Sequence, residues 1–198
     1  MLDDAVDPSA SVAAPLRWLK DLERIDSAIY RAIAETPTPA LDQTLRRISQ
    51  AADHSKLSMA AAAALAVRGR PAGRRAAVFG LVSVGATSAL VNLAVKPLSR
   101  RRRPDRVAQR VALGRQVRMP ISTSFPSGHS AAAFAFATGV GHVMPRAAIP
   151  LRVLAAVVAY SRVHTGVHYP GDVVVGSIIG TATAQVTCHE LDQLPRTR

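Results

Sequence analysis

At 198 residues the chain has the length of one domain, and 48% of its residues are hydrophobic, which is enough for a buried core or for several membrane spans. The net charge of +12 suits nucleic acid, anionic membranes or phosphate ligands, so charge alone selects none of them. A single cysteine, Cys188, excludes an intrachain disulfide and a multi-cysteine metal site. Asp3, Asp4 and Asp7 do not fit the basic start of a cleavable signal peptide.

The N-terminal part of the chain predicts a tail followed by short or amphipathic helices. We expect residues 1–15 to form a flexible tail. Leu16 to Ala34 carries apolar residues at helical spacing between charged ones, the pattern of an amphipathic helix on a membrane surface or packed on a bundle. After a Pro-rich break, Leu41 to Ala52 predicts a second amphipathic helix. Leu57 to Val67 is apolar but short for crossing a membrane by itself.

The clearest membrane span is predicted in the middle of the chain. Ala76 to Val95 contains twenty residues without a charge, and at ~1.5 Å per residue such a helix matches a hydrocarbon core of roughly 30 Å. Lys96 to Pro126 is polar and rich in arginine, which predicts a long loop with room for one surface helix. Three apolar runs rich in small residues follow, at Ser130 to Met144, Ala147 to Tyr160 and Val173 to Thr187.

Together these segments predict an all-α fold, a membrane helical bundle of about five or six helices with an amphipathic N-terminal helix. Four or five of the helices are expected to span the membrane. The single domain is placed at residues 16–190, followed by a C-terminal tail at 191–198. Arginine-rich loops flank spans on both sides, so the positive-inside rule does not decide which face holds the polar loops. Within these loops, Arg100 to Arg102 are expected to form a solvated or lipid-headgroup face.

Three groups of polar residues border the predicted spans and are the candidate functional residues. They are Lys96, Arg103 and Pro104; Pro126, Ser127, Gly128 and His129; and Ser161, Arg162, His168 and Asp172. If successive helices alternate in direction, the loops at 96–126 and 161–171 lie on the same membrane face, because two spans separate them. The three groups can therefore converge.

The residue types in these groups suit a bound phosphoryl group. Lys96, Arg103 and Arg162 supply positive charge, and arginine can bind phosphate oxygens in a bidentate way. Ser127 and Gly128 precede a predicted helix, whose first N–H groups and positive dipole end would point at the same anion. The sequence therefore predicts an oxyanion pocket.

Two histidines and a carboxylate complete the set that phosphoryl transfer without a metal requires. Asp172 follows His168 by four residues, close enough to hold one imidazole nitrogen and leave the other free as a nucleophile. His129 then supplies the proton for the leaving group. A metal site built from His164, His168 and Asp172 is the rival chemistry, but position 165 lacks a glutamate base and the nearby arginines would repel a cation. We expect His164 to be structural.

The order and spacing of the three groups resemble a known family signature. KxxxxxxRP at Lys96 to Pro104, PSGH at Pro126 to His129 and SRxxxxxHxxxD at Ser161 to Asp172 resemble the motifs of the type-2 phosphatidic acid phosphatase superfamily. This superfamily includes lipid phosphate phosphatases, bacterial acid phosphatases and vanadium haloperoxidases. Residues 36–57, with TPTPALDQ and AADHSKL, further resemble its actinobacterial members.

The resemblance implies an enzyme that hydrolyses a membrane lipid phosphate or diphosphate, such as phosphatidate, a polyprenyl phosphate or a glycolipid phosphate. It implies a covalent phosphohistidine on His168, oriented by Asp172, with His129 as the acid and no metal or other cofactor. The residues expected to bind phosphate are Lys96, Arg103, Ser127, Gly128 and Arg162. We expect an integral protein of the bacterial cell membrane whose partners are the lipid substrate and the membrane, and not nucleic acid.

Two other functions stay open at the level of the sequence. A vanadium-dependent haloperoxidase would use the same anion pocket, because vanadate mimics the phosphoryl transition state, although those enzymes are soluble and much longer. A non-catalytic basic protein that binds anionic membranes or nucleic acid would account for the net charge of +12. A non-catalytic protein would not, however, require the complete set of catalytic residue types.

Overall fold

The chain folds into helices joined by loops. The structure is a computed structural model that describes residues 9–68 and 71–195, and these ranges contain no strand. The helices are α1 Ser9–Glu35, α2 Pro39–Ala51, α3 Lys56–Val67, α4 Pro71–Leu98, α5 Gly128–Val143, α6 Pro145–His164 and α7 Pro170–Gln193. Residues Leu90–Val95 of α4 form a π-helical stretch. The all-α prediction is confirmed, with slightly more helices than expected.

The largest differences from the predicted boundaries lie at the ends of the chain and in the long loop. α1 begins at Ser9, inside the segment predicted as a tail, because the Ala-rich stretch before Pro15 favours a helix. Residues 1–8 and 196–198 lie outside the described residues. α7 continues to Gln193, past the start of the predicted C-terminal tail. The loop after α4 contains only a short 3₁₀ turn at Leu113–Arg115 in place of a surface helix.

Helix α5 lies at the centre of the bundle and contacts α4, α6 and α7. Glycine allows two of these contacts to be close. A Cβ atom at Gly139 would lie 2.7 Å from the carbonyl oxygen of Phe79 in α4, and one at Gly176 in α7 would lie 2.5 Å from the carbonyl oxygen of Ser127. The close helix packing predicted from the small residues is therefore confirmed. It places the N-terminus of α5 beside both neighbouring helices.

In the part of the chain that the structure describes, two helices have the length and apolar character of membrane spans. They are Pro71–Leu98, with a mean hydropathy of 1.9, and Pro145–His164, with 1.2. Only 33% and 44% of their apolar windows are buried inside the protein, so most of this surface faces outward. Within residues 9–68 and 71–195, fewer helices have this length and hydropathy than the four or five predicted spans. Helices α3 and α5 have only 12 and 16 residues, below the ~20 that a hydrocarbon core requires, whereas α7 is long enough with 24 residues but less apolar.

The apolar face of α1 is exposed. Trp18, Leu22 and Ile25 are more than half exposed, whereas Asp26 and Tyr30 face the bundle and are buried. With α7, this face lines an apolar groove of about 870 Å³. Of the two settings predicted for this amphipathic helix, the exposed face favours the membrane surface.

A buried arginine ties the long loop to the first two helices and to α6. Arg115 is 2% exposed and donates hydrogen bonds to five partners. Its acceptors are the carbonyl oxygens of Ile33, Ala34 and Thr36, the Thr38 hydroxyl and the Asp42 carboxylate. Asp42 in turn lies 3.0 Å from His164 Nε2. The C-terminal carbonyl groups of α1 are thus satisfied by a side chain from a distant loop.

We expect Arg115→Ala to lower the melting temperature of the detergent-solubilised protein by at least ~5 °C. The substitution leaves several buried acceptors and the Asp42 carboxylate without their donor, a change that costs about 3–5 kcal/mol in comparable buried pairs. Arg118→Ala, at an exposed position of the same loop, is the matched control and should leave the melting temperature unchanged. Equal melting temperatures for the two variants would show that the Arg115 network does not stabilise the fold.

Candidate active site

The polar groups predicted from the sequence meet at one end of the bundle. Arg103 Nη1 from the loop after α4 lies 3.2 Å from His168 Nε2 in the loop before α7. The Ser127 N–H, just before α5, donates to the carbonyl oxygen of Asp172 at 2.9 Å. The first contact joins the group of Lys96 and Arg103 to the group of His168 and Asp172. The second joins the group that includes Ser127 to the same residues. The predicted convergence is confirmed.

His168 stands in the turn between α6 and α7, where Gly166 reverses the chain with a φ of +72°. Because a guanidinium has only donors, the contact with Arg103 makes Nε2 of His168 the acceptor. Nδ1 then carries the proton and lies 3.5 Å from Asp172 Oδ2, slightly beyond an ordinary hydrogen bond. Burial lowers the pKa of His168 to about 4, against the opposing effect of Asp172. At neutral pH the ring is therefore uncharged, with its lone pair on Nε2.

Asp172 is fully buried in the first turn of α7, and its carboxylate is held by three donors. Oδ2 accepts the Ser124 hydroxyl at 2.5 Å and the Tyr169 N–H at 2.9 Å. Oδ1 accepts Arg101 Nη1 at 2.8 Å. Hydrogen bonds to the ionised form keep this carboxylate charged and fixed beside the His168 ring. This is the geometry expected of the residue that orients His168.

The contacts of Arg101 correct the prediction that Arg100 to Arg102 form a solvated face. Arg101 pairs with Asp172 and also with Asp26 of α1, at 2.5 Å, and it stacks over the ring of Tyr169. Its two neighbours are exposed, as predicted. No pattern in the sequence distinguishes Arg101 from Arg100 and Arg102, because the partner of Arg101, Asp26, is 75 residues away.

His129 begins α5 and faces the turn between α2 and α3. Its Nε2 atom lies 2.9 Å from Oδ1 of Asp53. The same carboxylate oxygen lies 3.6 Å from Arg162 Nη1. The sequence motifs assign no role to Asp53, which lies 76 residues before His129.

Lysine and arginine donors face the space beside His129. Lys96 lies in the last turn of α4, and a Cβ atom at Gly128 would lie 3.7 Å from its Nζ atom. Both residues and His129 line a cavity of about 210 Å³. Arg162 is 1% exposed and is anchored by a 2.7 Å hydrogen bond from Nη1 to the Ser49 hydroxyl. Its buried Nε has no acceptor among the described residues, so this donor is free for an anion.

Ser127 caps α5 in the structure. Its hydroxyl accepts the Ser130 N–H at 3.4 Å and the Ser130 hydroxyl at 3.0 Å, and the side chain is completely buried. The N–H groups of Gly128 and His129 begin the helix and have no acceptor within it. They form the positive end of the α5 dipole, where an anion is favoured. A direct contact between Ser127 and phosphate stays a prediction.

His164 lies in a separate network, as expected of a structural residue. Its Nε2 atom contacts Asp42, not Asp172, and its ring stacks at an angle on Tyr160. Across residues 9–68 and 71–195, no three His, Cys, Asp or Glu side chains are grouped as a metal site would require. The three ligands of the rival metal hypothesis therefore do not come together.

Comparison with known sequences identifies the family. The sequence profile of the PAP2 superfamily matches residues 76–194. Decaprenylphosphoryl-5-phosphoribose phosphatase of Mycolicibacterium smegmatis is 34% identical over 169 residues, which cover 80% of this chain and 84% of that protein. The enzyme of the same name from Mycobacterium tuberculosis is 39% identical over 93 residues, or 46% of this chain. The chain spans about half the length of this second relative, 49%.

Solved structures show the same fold. Aquifex aeolicus LpxE superimposes with a TM-score of 0.67 at 24% identity, over 82% of this chain and 93% of that one. A transmembrane PAP2 type phosphatidylglycerolphosphate phosphatase from Bacillus subtilis gives a TM-score of 0.66 at 26% identity, over 90% of each chain. Since the family profile matches residues 76–194, a range that contains all three motifs that the fold brings together, this membrane protein belongs to the PAP2 superfamily.

Proposed function

We propose that the protein is a metal-independent lipid phosphate phosphatase of the bacterial cell membrane, with residues 16–190 as its phosphatase domain. The observation that carries the proposal is the uncharged, buried His168, whose Nε2 lone pair meets the Arg103 guanidinium. A nucleophile beside a fixed cation is what attack on an anionic phosphoryl group needs. The phosphatase names of the relatives favour this function over a haloperoxidase or a non-catalytic basic protein.

We further propose that the substrate is a lipid whose head group ends in a phosphomonoester. The mycobacterial relatives are named for a decaprenyl-linked phosphoribose, and the Bacillus relative for phosphatidylglycerolphosphate. A polyprenyl-linked sugar phosphate is the first candidate, because a relative that is 34% identical over 80% of this chain bears that name. The outward apolar surfaces of α1 and α4 suit a substrate that stays in the membrane.

In the proposed reaction, Nε2 of His168 attacks phosphorus, and the bond from phosphorus to the lipid oxygen breaks. His129 donates its proton to that oxygen, so the lipid leaves as an alcohol. His129 then takes a proton from water, and the resulting hydroxide attacks the phosphohistidine. The phosphorus–nitrogen bond breaks, inorganic phosphate leaves, and both histidines return to their starting forms.

Charge on the phosphoryl oxygens is balanced by side chains and by the start of α5. The proposed partners are Lys96, Arg103, Arg162 and the N–H groups at Gly128, with Ser127 as the helix cap. These groups are positioned before substrate binds, which is the condition for strong stabilisation of a transition state. Because the cations come from the protein, the reaction needs no metal ion.

We expect the purified protein in detergent to release phosphate from a lipid phosphate at a rate that EDTA changes by less than about twofold, because the protein's own cations stabilise the charge. A panel of polyprenyl-linked phosphoribose, phosphatidylglycerolphosphate, phosphatidate and a polyprenyl diphosphate would rank the substrates by kcat/KM. A water-soluble sugar phosphate is the control for lipid dependence. Release that requires an added metal, or no release from any of these lipids, would contradict the proposal.

A further inference from the structure

The turn between α2 and α3 holds a carboxylate against the second histidine of the site. His54 and Ser55 both adopt positive φ angles, 55° and 58°, directly after Asp53. This sharp turn brings the Asp53 carboxylate to 2.9 Å from His129 Nε2. His54 and Ser55 also line the cavity that contains Lys96 and His129. The strained backbone thus sits at the site, where strain often serves function.

The contact determines which nitrogen of His129 can reach the substrate. A carboxylate accepts hydrogen bonds, so Nε2 of His129 carries a proton directed at Asp53. Only Nδ1 is then available to a lipid oxygen. Burial and the nearby Arg162 lower the pKa of His129 to about 3, and Asp53 opposes this shift. The negative charge of Asp53 therefore favours the protonated form, which an acid must hold before the leaving group departs.

We propose that Asp53 is a positioning residue for His129: it orients the ring and favours its protonated form, so that Nδ1 delivers the proton to the departing lipid oxygen. This inference rests on the proposed function, in which His129 is the acid. The active site would then contain two carboxylate–histidine pairs. Asp172 and His168 form the nucleophilic pair, and Asp53 and His129 form the acidic pair.

The surroundings of Asp53 separate this role from a structural one. The Asp53 side chain makes no hydrogen bond that caps the turn or α3. Arg162 is anchored by Ser49 at 2.7 Å and lies farther from Asp53, at 3.6 Å. Loss of Asp53 therefore leaves Arg162 held in place. The 2.9 Å contact with His129 is the short polar contact that the substitution removes.

The two carboxylate–histidine pairs also differ in a way that matches their roles. Asp172 is completely buried and bound by three donors, which keeps the geometry of His168 constant. The side chain of Asp53 is 42% exposed, at the rim of the site. His129 must gain and lose a proton in each turnover, and a rim position leaves it open to the water that enters in the second step.

Dependence on the leaving group tests the proposal. A lipid alcohol is a poor leaving group and needs the proton, whereas 4-nitrophenolate leaves without one. We expect Asp53→Ala to lower kcat/KM for a lipid phosphate by about 100-fold and for 4-nitrophenyl phosphate by less than about fivefold. The comparison uses kcat/KM because it reports only the steps up to departure of the leaving group.

Four further variants complete the experiment. His129→Ala should show the same selectivity, and Asp53→Ala in that background should cause no further loss, since the two residues act as a unit. Asp53→Asn keeps the shape and an acceptor but not the charge, so it should fall between wild type and Asp53→Ala. Asp21→Ala, which breaks an exposed ion pair with Arg24, is the matched control and should behave as wild type.

The outcomes separate the inference from the function on which it rests. Equal losses on both substrates, or no loss on the lipid, would overturn the role of Asp53 while wild-type activity upholds the phosphatase. A wild-type protein that cleaves neither substrate would overturn both. Melting temperatures within ~3 °C of wild type would show that the variants are folded.

Discussion

His168→Ala is expected to abolish phosphate release, with a loss in kcat of at least ~10⁴-fold, by comparison with the removal of catalytic nucleophiles in other enzymes. The alanine variant has no nitrogen lone pair at the position where Nε2 contacts Arg103, so the nucleophile that would attack the phosphorus is missing. The pocket should still bind phosphate, because Arg103 keeps its bonds to the carbonyl groups of Ser122, Thr123 and Val167. The defect should therefore appear in kcat rather than in KM.

Trapping the intermediate gives a direct measurement for the same variant. Wild-type protein quenched during turnover of a labelled lipid phosphate should carry an acid-labile, base-stable label, as a phosphohistidine does, and His168→Ala should carry none. His189→Ala, at an exposed position of α7, is the control and should keep both the label and the activity. A residual rate within 100-fold of wild type would show that another group attacks the phosphorus.

Asp172→Asn is expected to lower kcat by roughly 10³-fold, because the amide can no longer select the Nδ1–H tautomer or stabilise the charge that develops on His168. The loss should be large even though the variant differs by a single atom. Asp172 receives the Ser124 hydroxyl and the Tyr169 N–H on one oxygen, so an amide nitrogen at that position would face donors. The variant therefore loses both the charge and the orientation of the pair.

Asp26→Asn supplies a matched control for Asp172→Asn. Both carboxylates accept a hydrogen bond from Arg101, but only Asp172 lies beside His168. We expect Asp26→Asn to retain activity within about tenfold and to lower the melting temperature, because it weakens a partly buried ion pair. Similar losses in kcat for the two variants would mean that the Arg101 network, and not orientation of His168, accounts for the effect.

The helices and the motif residues could be predicted because their signals are local. Long apolar runs rich in small residues predict packed helices, and the structure confirms them in α4, α5, α6 and α7. The alternation of helices also predicts that the loops around Arg103 and His168 share one face, and the two residues are in contact. Helix ends were less predictable, since α1 begins at Ser9 and α7 continues to Gln193.

The partners of the motif residues could not be predicted because they come from distant segments without a spacing of their own. Asp53 is one of several acidic residues in the N-terminal part, and only the turn at His54 and Ser55 directs it toward His129. Arg101 resembles its neighbours in an arginine run until it pairs with Asp26 and Asp172. Each of these contacts joins residues more than 70 positions apart.

By itself, the sequence determined the helical class of this protein, the segments that form its main helices and the motif residues that gather at one end of the bundle, because hydrophobic periodicity and motif spacing are properties of neighbouring residues. Only the tertiary structure decided that Asp53 faces His129, that Arg101 is engaged and that Ser127 caps a helix. These contacts depend on how closely the helices approach one another at Gly139 and Gly176. Such packing is a property of the whole bundle.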